Sequence, residues 1–262
     1  MTARPADLAD KVVLVSGGTR GVGAAVVREA AAAGARVAFT GRDAAAGDAL
    51  RAELAADGVE ALFVRADAAD PAQATGSVDA VVEGYGRIDC LCNAAGLTSR
   101  GTLTETTPEL FDEHIAINLR APFFTMAAAV RDMRARHAPG TVVNIISMSA
   151  HGGQPYLAPY VAAKAGLIGL TRNAAHAHRF DRIRINGLNI GWTETEGEAL
   201  VQKRFHDAPD DWAERAGREL PAGRLASAAD AAAAVAFLLS DRSGVVTGSV
   251  IDWDQQVCGA YD

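Results

Sequence analysis

The sequence predicts a doubly wound α/β fold, a seven-stranded parallel sheet with helices on both faces. Short β-branched apolar runs recur along it without polar alternation, the pattern of strands buried on both faces. Helical segments separate these runs, and that order calls for parallel pairing under two helical layers. With 262 residues, 49% of them hydrophobic, the chain can bury one full core. No internal repeat, low-complexity linker or clear boundary divides it, so one domain over 1–262 is expected.

The first strand, Lys11 to Ser16 (KVVLVS), runs straight into Gly17-Gly18-Thr19-Arg20-Gly21-Val22-Gly23. AAVVREAAAAG then reads as a helix stopped by Gly34. Strand, glycine turn and helix form the setting a nucleotide phosphate requires, because glycine permits close backbone approach and a helix N-terminus favours an anion. The spacing is GxxxGxG at Gly17, Gly21 and Gly23 rather than GxGxxG. Any tight strand-to-helix turn uses glycine, so the cluster alone leaves a structural turn and a dinucleotide site both open.

Arg36 to Thr40 (RVAFT) is the second strand, closed by Gly41-Arg42. The residue ending such a strand meets the adenosine ribose, an acid suiting a free 2′-OH and a basic residue a 2′-phosphate. Here Gly41 adds no charge, while Arg42 and the nearby Arg20 offer planar cations to phosphate oxygens. Asp43 competes for the ribose, but it precedes AAAGDALRAELAADG, where capping that helix is the more economical role. Val59 to Arg65 is the third strand, followed by Asp67, which either bonds an adenine amine or caps the next helix near Pro71.

Arg87 to Cys92 is the fourth strand, ending in Asn93-Ala94-Ala95-Gly96, small residues that let a ribose or nicotinamide lie against the backbone. Three cysteines make no disulfide framework, and alternation puts Cys90 and Cys92 on one strand face as small core residues without further metal ligands nearby. A helical region follows from about 108 to 138 and contains Asn118, costly on an apolar helix face unless bonded. It is either a kink residue or part of a polar site. Thr141 to Ile146 is the fifth strand, Ile183 to Leu188 the sixth and Ser249 to Trp253 the seventh. The irregular, mixed-charge stretch 191–224 follows the sixth strand and is expected to act as a substrate-binding lid over the carboxyl ends of the strands.

The chemistry concentrates in SMSAHGGQPYLAPYVAAK, residues 147–164. Tyr160 and Lys164 stand at i and i+4, on one helix face. An ammonium beside a phenol favours the phenolate, which helps a group whose ordinary pKa is about 10 exchange protons near neutrality. Ser147 ends a strand thirteen residues earlier and can hydrogen-bond a substrate oxygen. The competing reading is an exposed Tyr and Lys on an amphipathic helix. Ser149, His151, Gln154, Trp192 and Glu194 flank these residues and are candidates for the substrate pocket by position. Their polarity predicts a compact polar or hydroxylated substrate rather than a long acyl chain.

A formal charge of −7 and a pI near 5.4 argue against nucleic acid or an anionic membrane as the main partner. No apolar run approaches the roughly 20 residues that span a bilayer, and MTARPADLADK carries no hydrophobic signal core, so a cytoplasmic location is expected.

Together these pieces resemble the single-domain type of the short-chain dehydrogenase/reductase family, with its Rossmann-like fold, from Lys11 to about Asp254. SGGTRGVG is similar to that family's TGxxxGxG, and NAAG to its NNAG. IRINGLNIG is similar to IRVNxxxPG, and RLASAAD with VVTGSVIDWD resembles the C-terminal section. Asp67 falls where the family has an adenine-contacting Asp. Asn118, Ser147, Tyr160 and Lys164 correspond to its Asn-Ser-Tyr-Lys tetrad.

The resemblance implies an oxidoreductase interconverting a secondary alcohol and a ketone, with Tyr160 as general acid/base. Ser147 would meet the carbonyl oxygen. Lys164 would lower the Tyr160 pKa and bind the nicotinamide ribose, and Asn118 would hold a water leading to solvent. It places the cofactor on Gly17, Thr19, Arg20, Gly21, Val22, Gly23, Arg42, Asp67, Asn93, Ala94, Gly96, Tyr160, Lys164, Gly191, Thr193 and Thr195. NADP is the expected cofactor, with NAD as the alternative. A homotetramer, or a homodimer, is implied through the helices carrying Asn118 and Tyr160.

Four departures stand out: Ser16 for Thr, Ala94 for Asn, Ile190 for Pro, and Gln255-Gln256 for Gly-Gly. The other readings are an NAD-dependent alcohol or polyol dehydrogenase, a non-catalytic cofactor sensor, and a sugar-nucleotide epimerase, whose relatives carry GxxGxxG and a longer C-terminal domain.

Overall fold

The computed structural model describes residues 7–259, so residues 1–6 and 260–262 of the expected domain lie outside the described residues. β1 (Val12–Ser16) leads through the glycine turn to α1 (Gly21–Ala32), then β2 (Arg36–Gly41), α2 (Ala44–Ala56), β3 (Leu62–Arg65) and α3 (Pro71–Tyr85). The second half begins with β4 (Cys90–Asn93), α4 (Pro108–Ile115), α5 (Ala121–Ala135), β5 (Gly140–Ile145), α6 (Ala158–His178) and β6 (Ile183–Ile190). It closes with β7 (Thr193–Glu194), α7 (Glu196–His206), α8 (Trp212–Arg218), β8 (Ala226–Ser227), α9 (Ala228–Leu239) and β9 (Val250–Trp253).

Seven strands form one sheet in the order β3-β2-β1-β4-β5-β6-β9, with every neighbouring pair parallel. This is the predicted doubly wound sheet. Alternation within the strands feeds two cores. Val13, Val15, Cys90 and Cys92 pack with α1, α2 and α9. Val12, Leu14 and Leu91 pack with α3, α5 and α6. Both thiols are buried, which pushes Cys90 up to about 11 and Cys92 up to about 12. The order reverses between β1 and β4, which opens a crevice beyond their carboxyl ends.

The helical region expected from about 108 to 138 is helical over Pro108–Ala135, with a π-helical turn at Ala116–Arg120 inside it. The backbone stays in the right-handed helical region from Ile115 through Ala121, and the wider turn just before Pro122 accommodates a residue that lacks an N–H donor. One expectation needs correction: the stretch 191–224 is not irregular. Thr195 caps α7 by accepting from Glu198 N at 3.1 Å. Glu196 and Glu198 in its first turn and Lys203, Arg204 and His206 in its last complement the helix dipole. Mixed charge here marks a surface helix, and β7 pairs with β8 beside it.

Gln255, one of the departures from the family pattern, ties the last described residues to this segment. Gln255 Oε1 accepts from Ala222 N at 2.8 Å, and its Nε2 donates to Arg224 O at 2.7 Å. Gly191, after Ile190, donates its N–H to Trp253 O at 3.1 Å. A Cβ at 191 would lie 1.9 Å from Asp254 Oδ1, so only glycine lets β6 end against this tail without displacing that side chain.

Candidate active site

A cleft of about 1050 Å³ runs across the carboxyl ends of the strands, from the glycine turn to α7. Its first wall is made of backbone. Gly17 has φ +78°, and a Cβ there would fall 2.5 Å from Ala95 Cα. A Cβ on Gly23 would fall 2.0 Å from Gly17 O. Arg20 occupies the N-cap of α1 without a side-chain cap bond, so no side-chain oxygen caps the positive end of this helix at the cleft edge. Thr19, Gly21 and Val22 line the same wall.

Beyond it, Gly41, Arg42 and Asp67 line the cleft. Asp43 caps α2, accepting from Ala46 N at 3.1 Å, and its other oxygen takes an ion pair from Arg20. The capping role is as expected. The free Arg20 fork is not, because Asp43 reaches it across the turn. Arg42 is exposed, and its side chain has no partner among the described residues. A Cβ at position 41 would lie 2.4 Å from Thr19 Cγ2, so the turn packs closely on this glycine. Asp70 rather than Asp67 caps α3, accepting from Ala72 N at 2.8 Å. Asp67 Oδ1 accepts from Ala69 N at 2.9 Å.

Ala94 and Gly96 line the middle of the cleft, but Asn93 turns its side chain away. Its Nδ2 donates to Asn144 Oδ1 at 2.8 Å, and its Oδ1 accepts from Thr125 at 2.6 Å. Asn144 in turn donates to Thr171 at 2.9 Å. This satisfied network clamps β4, β5, α5 and α6 together, leaving only the Asn93 backbone for a ligand.

Asn118 sits within the π turn, fully buried. Its Oδ1 accepts from Leu97 N at 3.1 Å, and its Nδ2 donates to Leu97 O at 3.0 Å and lies 3.3 Å from His114 Nδ1. The kink and the polar site are therefore the same place. His114, missed by sequence reasoning, is one turn earlier in HIAIN. Its Nε2 lies 3.1 Å from Ser99 O, its ring meets that of Tyr160 edge-on at 6.2 Å, and burial lowers its pKa. A neutral ring accepting at Nδ1 and donating at Nε2 fits all these contacts.

Tyr160 and Lys164 lie on the buried face of α6 beside Ser147. Burial pushes the phenol up to about 12; Ser147 pulls it down, Glu198 pushes it further up, and Arg100 pulls it down. Burial also pushes Lys164 down to about 8. Its Nζ donates to Ile145 O at 2.8 Å and lies 5.7 Å from the Tyr160 ring centroid. The expected lowering of Tyr160 by Lys164 does not govern this state, because desolvation dominates both groups.

At the far end, Ser149, His151, Gln154 and Trp192 all line the cleft, and Glu194 does not. Glu194 is exposed on β7, whose pairing with β8 sets its direction. Thr193 donates to Gly191 O at 2.9 Å, and Thr195 faces the glycine turn, where a Cβ on Gly21 would meet Thr195 Cγ2 at 3.5 Å. His151 Nε2 lies 3.0 Å from Asp252 Oδ1, which also accepts from Asn189 Nδ2 at 2.7 Å. Cys258 joins His151 and Asp252 in an exposed group whose donor atoms lie within 4.8 Å of one another. Trp192 packs on Trp212 with ring centroids 5.9 Å apart. Glu198, Gln202 and His206 repeat at i, i+4 and i+8 on the cleft face of α7, opposite Arg100. The signal for them was the four-residue spacing within a segment read as irregular.

Comparison with known proteins agrees with this geometry. The family model described as enoyl-(acyl carrier protein) reductase matches residues 17–255. Levodione reductase of Leifsonia aquatica is 35% identical over 257 residues, covering 96% of this chain and 96% of that protein. L-rhamnose 1-dehydrogenase (NAD(P)(+)) of Azotobacter vinelandii is 36% identical over 250 residues, covering 92% of this chain and 94% of the relative. The crystal structure of a variant actinorhodin polyketide ketoreductase with NADPH superposes with a TM-score of 0.88 at 29% identity, covering 93% of this chain and 95% of that one.

Proposed function

Because the chain belongs to the short-chain dehydrogenase/reductase family, and its homologues are NAD(P)-dependent oxidoreductases of alcohols and ketones, we propose that Tyr160 is its general acid/base. The observation that carries this reading is the buried Ser147–Tyr160–Lys164 cluster at the middle of a cleft that begins at an uncapped helix N-terminus.

A nicotinamide dinucleotide suits the backbone wall, where Gly17 packs on Ala95 and Gly23 on Gly17 too closely for any side chain and the N-terminus of α1 favours a phosphate. The dinucleotide supplies the hydride. Gly21, Val22, Asp67, Ala94 and Gly96 with the Asn93 backbone, then Gly191, Thr193 and Thr195, are the residues proposed to hold it. Ser147 and Tyr160 donate hydrogen bonds to the carbonyl oxygen as charge develops there. Tyr160, protonated across the neutral range, hands its proton to that oxygen in reduction and takes it back in oxidation. Lys164 would hold the nicotinamide ribose, and Asn118, its side chain engaged by Leu97 and His114, would set the shape of the π turn beside the proton route to solvent.

NADP is the proposed preference. Arg42, whose side chain has no partner among the described residues, supports it most directly, because Arg20 shares its charge with Asp43. One charge-assisted contact of roughly 1–2 kcal/mol corresponds to about 5- to 30-fold, less than two free guanidinium groups would provide. The proposed architecture is one catalytic domain, 1–262, with 191–224 covering the substrate end, where Ser149, His151, Gln154 and Trp192 meet a compact polar substrate. We place the enzyme in the cytoplasm; no helix among the described residues is long and apolar enough to cross a membrane. A homotetramer is proposed because an apolar groove of about 300 Å³ lies between α5 and α6, beside a half-exposed Phe123. Light scattering at micromolar concentration should give four chain masses; a monomer mass opposes the assembly.

Following nicotinamide absorbance with NADPH and then NADH against a panel of ketones tests the function. Ketone-dependent oxidation favouring NADPH is expected. Equal KM values for the two cofactors would remove the preference, and no oxidation with any ketone would count against the reductase reading.

A further inference from the structure

The substrate end holds a charge pair that stays open. Arg100 and Glu198 face each other with side chains only 12% and 16% exposed, yet Arg100 Nη2 and Glu198 Oε1 are 3.9 Å apart. That separation is beyond hydrogen-bond reach. Opposite charges so poorly solvated are expected to close on each other or to have something between them.

Neighbours prevent the closure. Arg100 Nε donates to His206 Nε2 at 3.1 Å, its Nη1 donates to Thr98 O at 2.9 Å, and its guanidinium lies over the Tyr156 ring at 5.2 Å. Glu198 Oε1 accepts from Trp192 Nε1 at 2.9 Å and from Gln202 Nε2 at 2.7 Å. Arg100 Nη2 and Glu198 Oε2 have no hydrogen-bond partner among the described residues.

We propose that Arg100 and Glu198 form a subsite that reads a substrate hydroxyl, so that the ketone carries an OH beside its carbonyl and the alcohol product is a diol or polyol. This rests on the reductase reading above and adds a substrate class to it. A hydroxyl oxygen donates and accepts at once, so it can sit about 2.8 Å from both groups. A carboxylate pairs with Arg100 but is repelled by Glu198. A methyl group satisfies neither, which leaves two poorly solvated charges unpaired and penalises it. Arg100, Glu198 and Tyr160 line the same cleft, so a substrate whose carbonyl meets the phenol lies in the space the pair faces.

Three four-carbon probes share a C2 carbonyl and an ethyl group: butan-2-one, 1-hydroxybutan-2-one and 2-oxobutanoate. With saturating NADPH, kcat/KM for the hydroxyketone should exceed those for the other two by at least about tenfold, the scale of one hydrogen bond to a charged group. In the doubly substituted protein, Arg100→Met with Glu198→Gln, that ratio should fall to about threefold or less. Equal kcat/KM for butan-2-one and the hydroxyketone would overturn the subsite while leaving the reductase reading intact. Preference for 2-oxobutanoate would overturn it too, by showing a carboxylate site. Saturation-transfer NMR on the Tyr160→Phe protein reads the same preference without turnover. There a hydroxyketone signal lost on the double substitution supports the subsite, and an equal signal from butan-2-one overturns it, whatever the fate of the reductase reading.

Discussion

The two ends of the cleft are built from different materials. The glycine-turn end is backbone: Gly17 against Ala95, Gly23 against Gly17, and a helix N-terminus without a side-chain cap. The α7 end is side chain: Glu198, Gln202 and His206 on one face of α7, opposite Arg100. Each end also holds an Arg–acid pair, and the two pairs differ in the same sense. Arg20 and Asp43 are in direct contact, whereas Arg100 and Glu198 are held apart at 3.9 Å. A closed pair compensates its arginine's charge with a protein carboxylate, whereas an open, poorly solvated one leaves both charges facing a gap. The difference teaches that what a charge near a cleft offers a ligand depends on how far its protein partner already compensates it.

The largest effect should come from disturbing the backbone end. Gly23→Ala puts a methyl 2.0 Å from Gly17 O. It should weaken NADPH binding at least about a hundredfold, equivalent to losing two charge-assisted phosphate contacts, when measured by fluorescence titration. Overpacking of roughly 1–3 kcal/mol should also lower Tm by several degrees. Unchanged affinity would mean that the glycine turn does not carry the phosphates.

The middle of the cleft, unlike its arginines, should titrate. Tyr160 is pushed up to about 12, so its proton is present throughout pH 6–8. Reduction needs that proton and should change little over this range. Oxidation needs it gone, so kcat/KM for the alcohol should climb by about tenfold per pH unit. A flat oxidation profile would show that the phenolate is already formed and that Lys164 outweighs burial.

Smaller effects separate the two arginines at the adenosine end. Arg42→Ala should cut the NADPH-over-NADH ratio by about 5- to 30-fold. Asp43→Asn keeps a good N-cap but releases Arg20, and should raise that ratio about fivefold. If neither ratio moves, the 2′-phosphate lies elsewhere. Gly41→Asp is a poorer probe, because its Cβ would strike Thr19.

The same contrast explains what was legible in the sequence. A wall made of backbone leaves its trace as glycines at set spacing after a buried strand, so Gly17, Gly21 and Gly23 can be read directly. The Tyr160–Lys164 spacing is legible because one helix carries both residues. The α7 end is not, because Arg100 and α7 are about a hundred residues apart and nothing local links them. Asn93 misled for a related reason: the motif marks the position, while the side chain's direction depends on Asn144 and Thr125 across the sheet. His114 was visible at i, i+4 from Asn118, but only burial and the contact with Ser99 give it a role.

The central claim is that the buried phenol between these two ends moves the proton. Comparing Tyr160→Phe with the unsubstituted protein tests it most directly, measuring turnover on a reducible ketone and NADPH affinity on the same samples. Turnover should fall by at least about 10²-fold, as for loss of a general acid, while the NADPH Kd stays within about threefold. Near-full turnover in the Phe variant would contradict the account and remove Tyr160 from the chemistry.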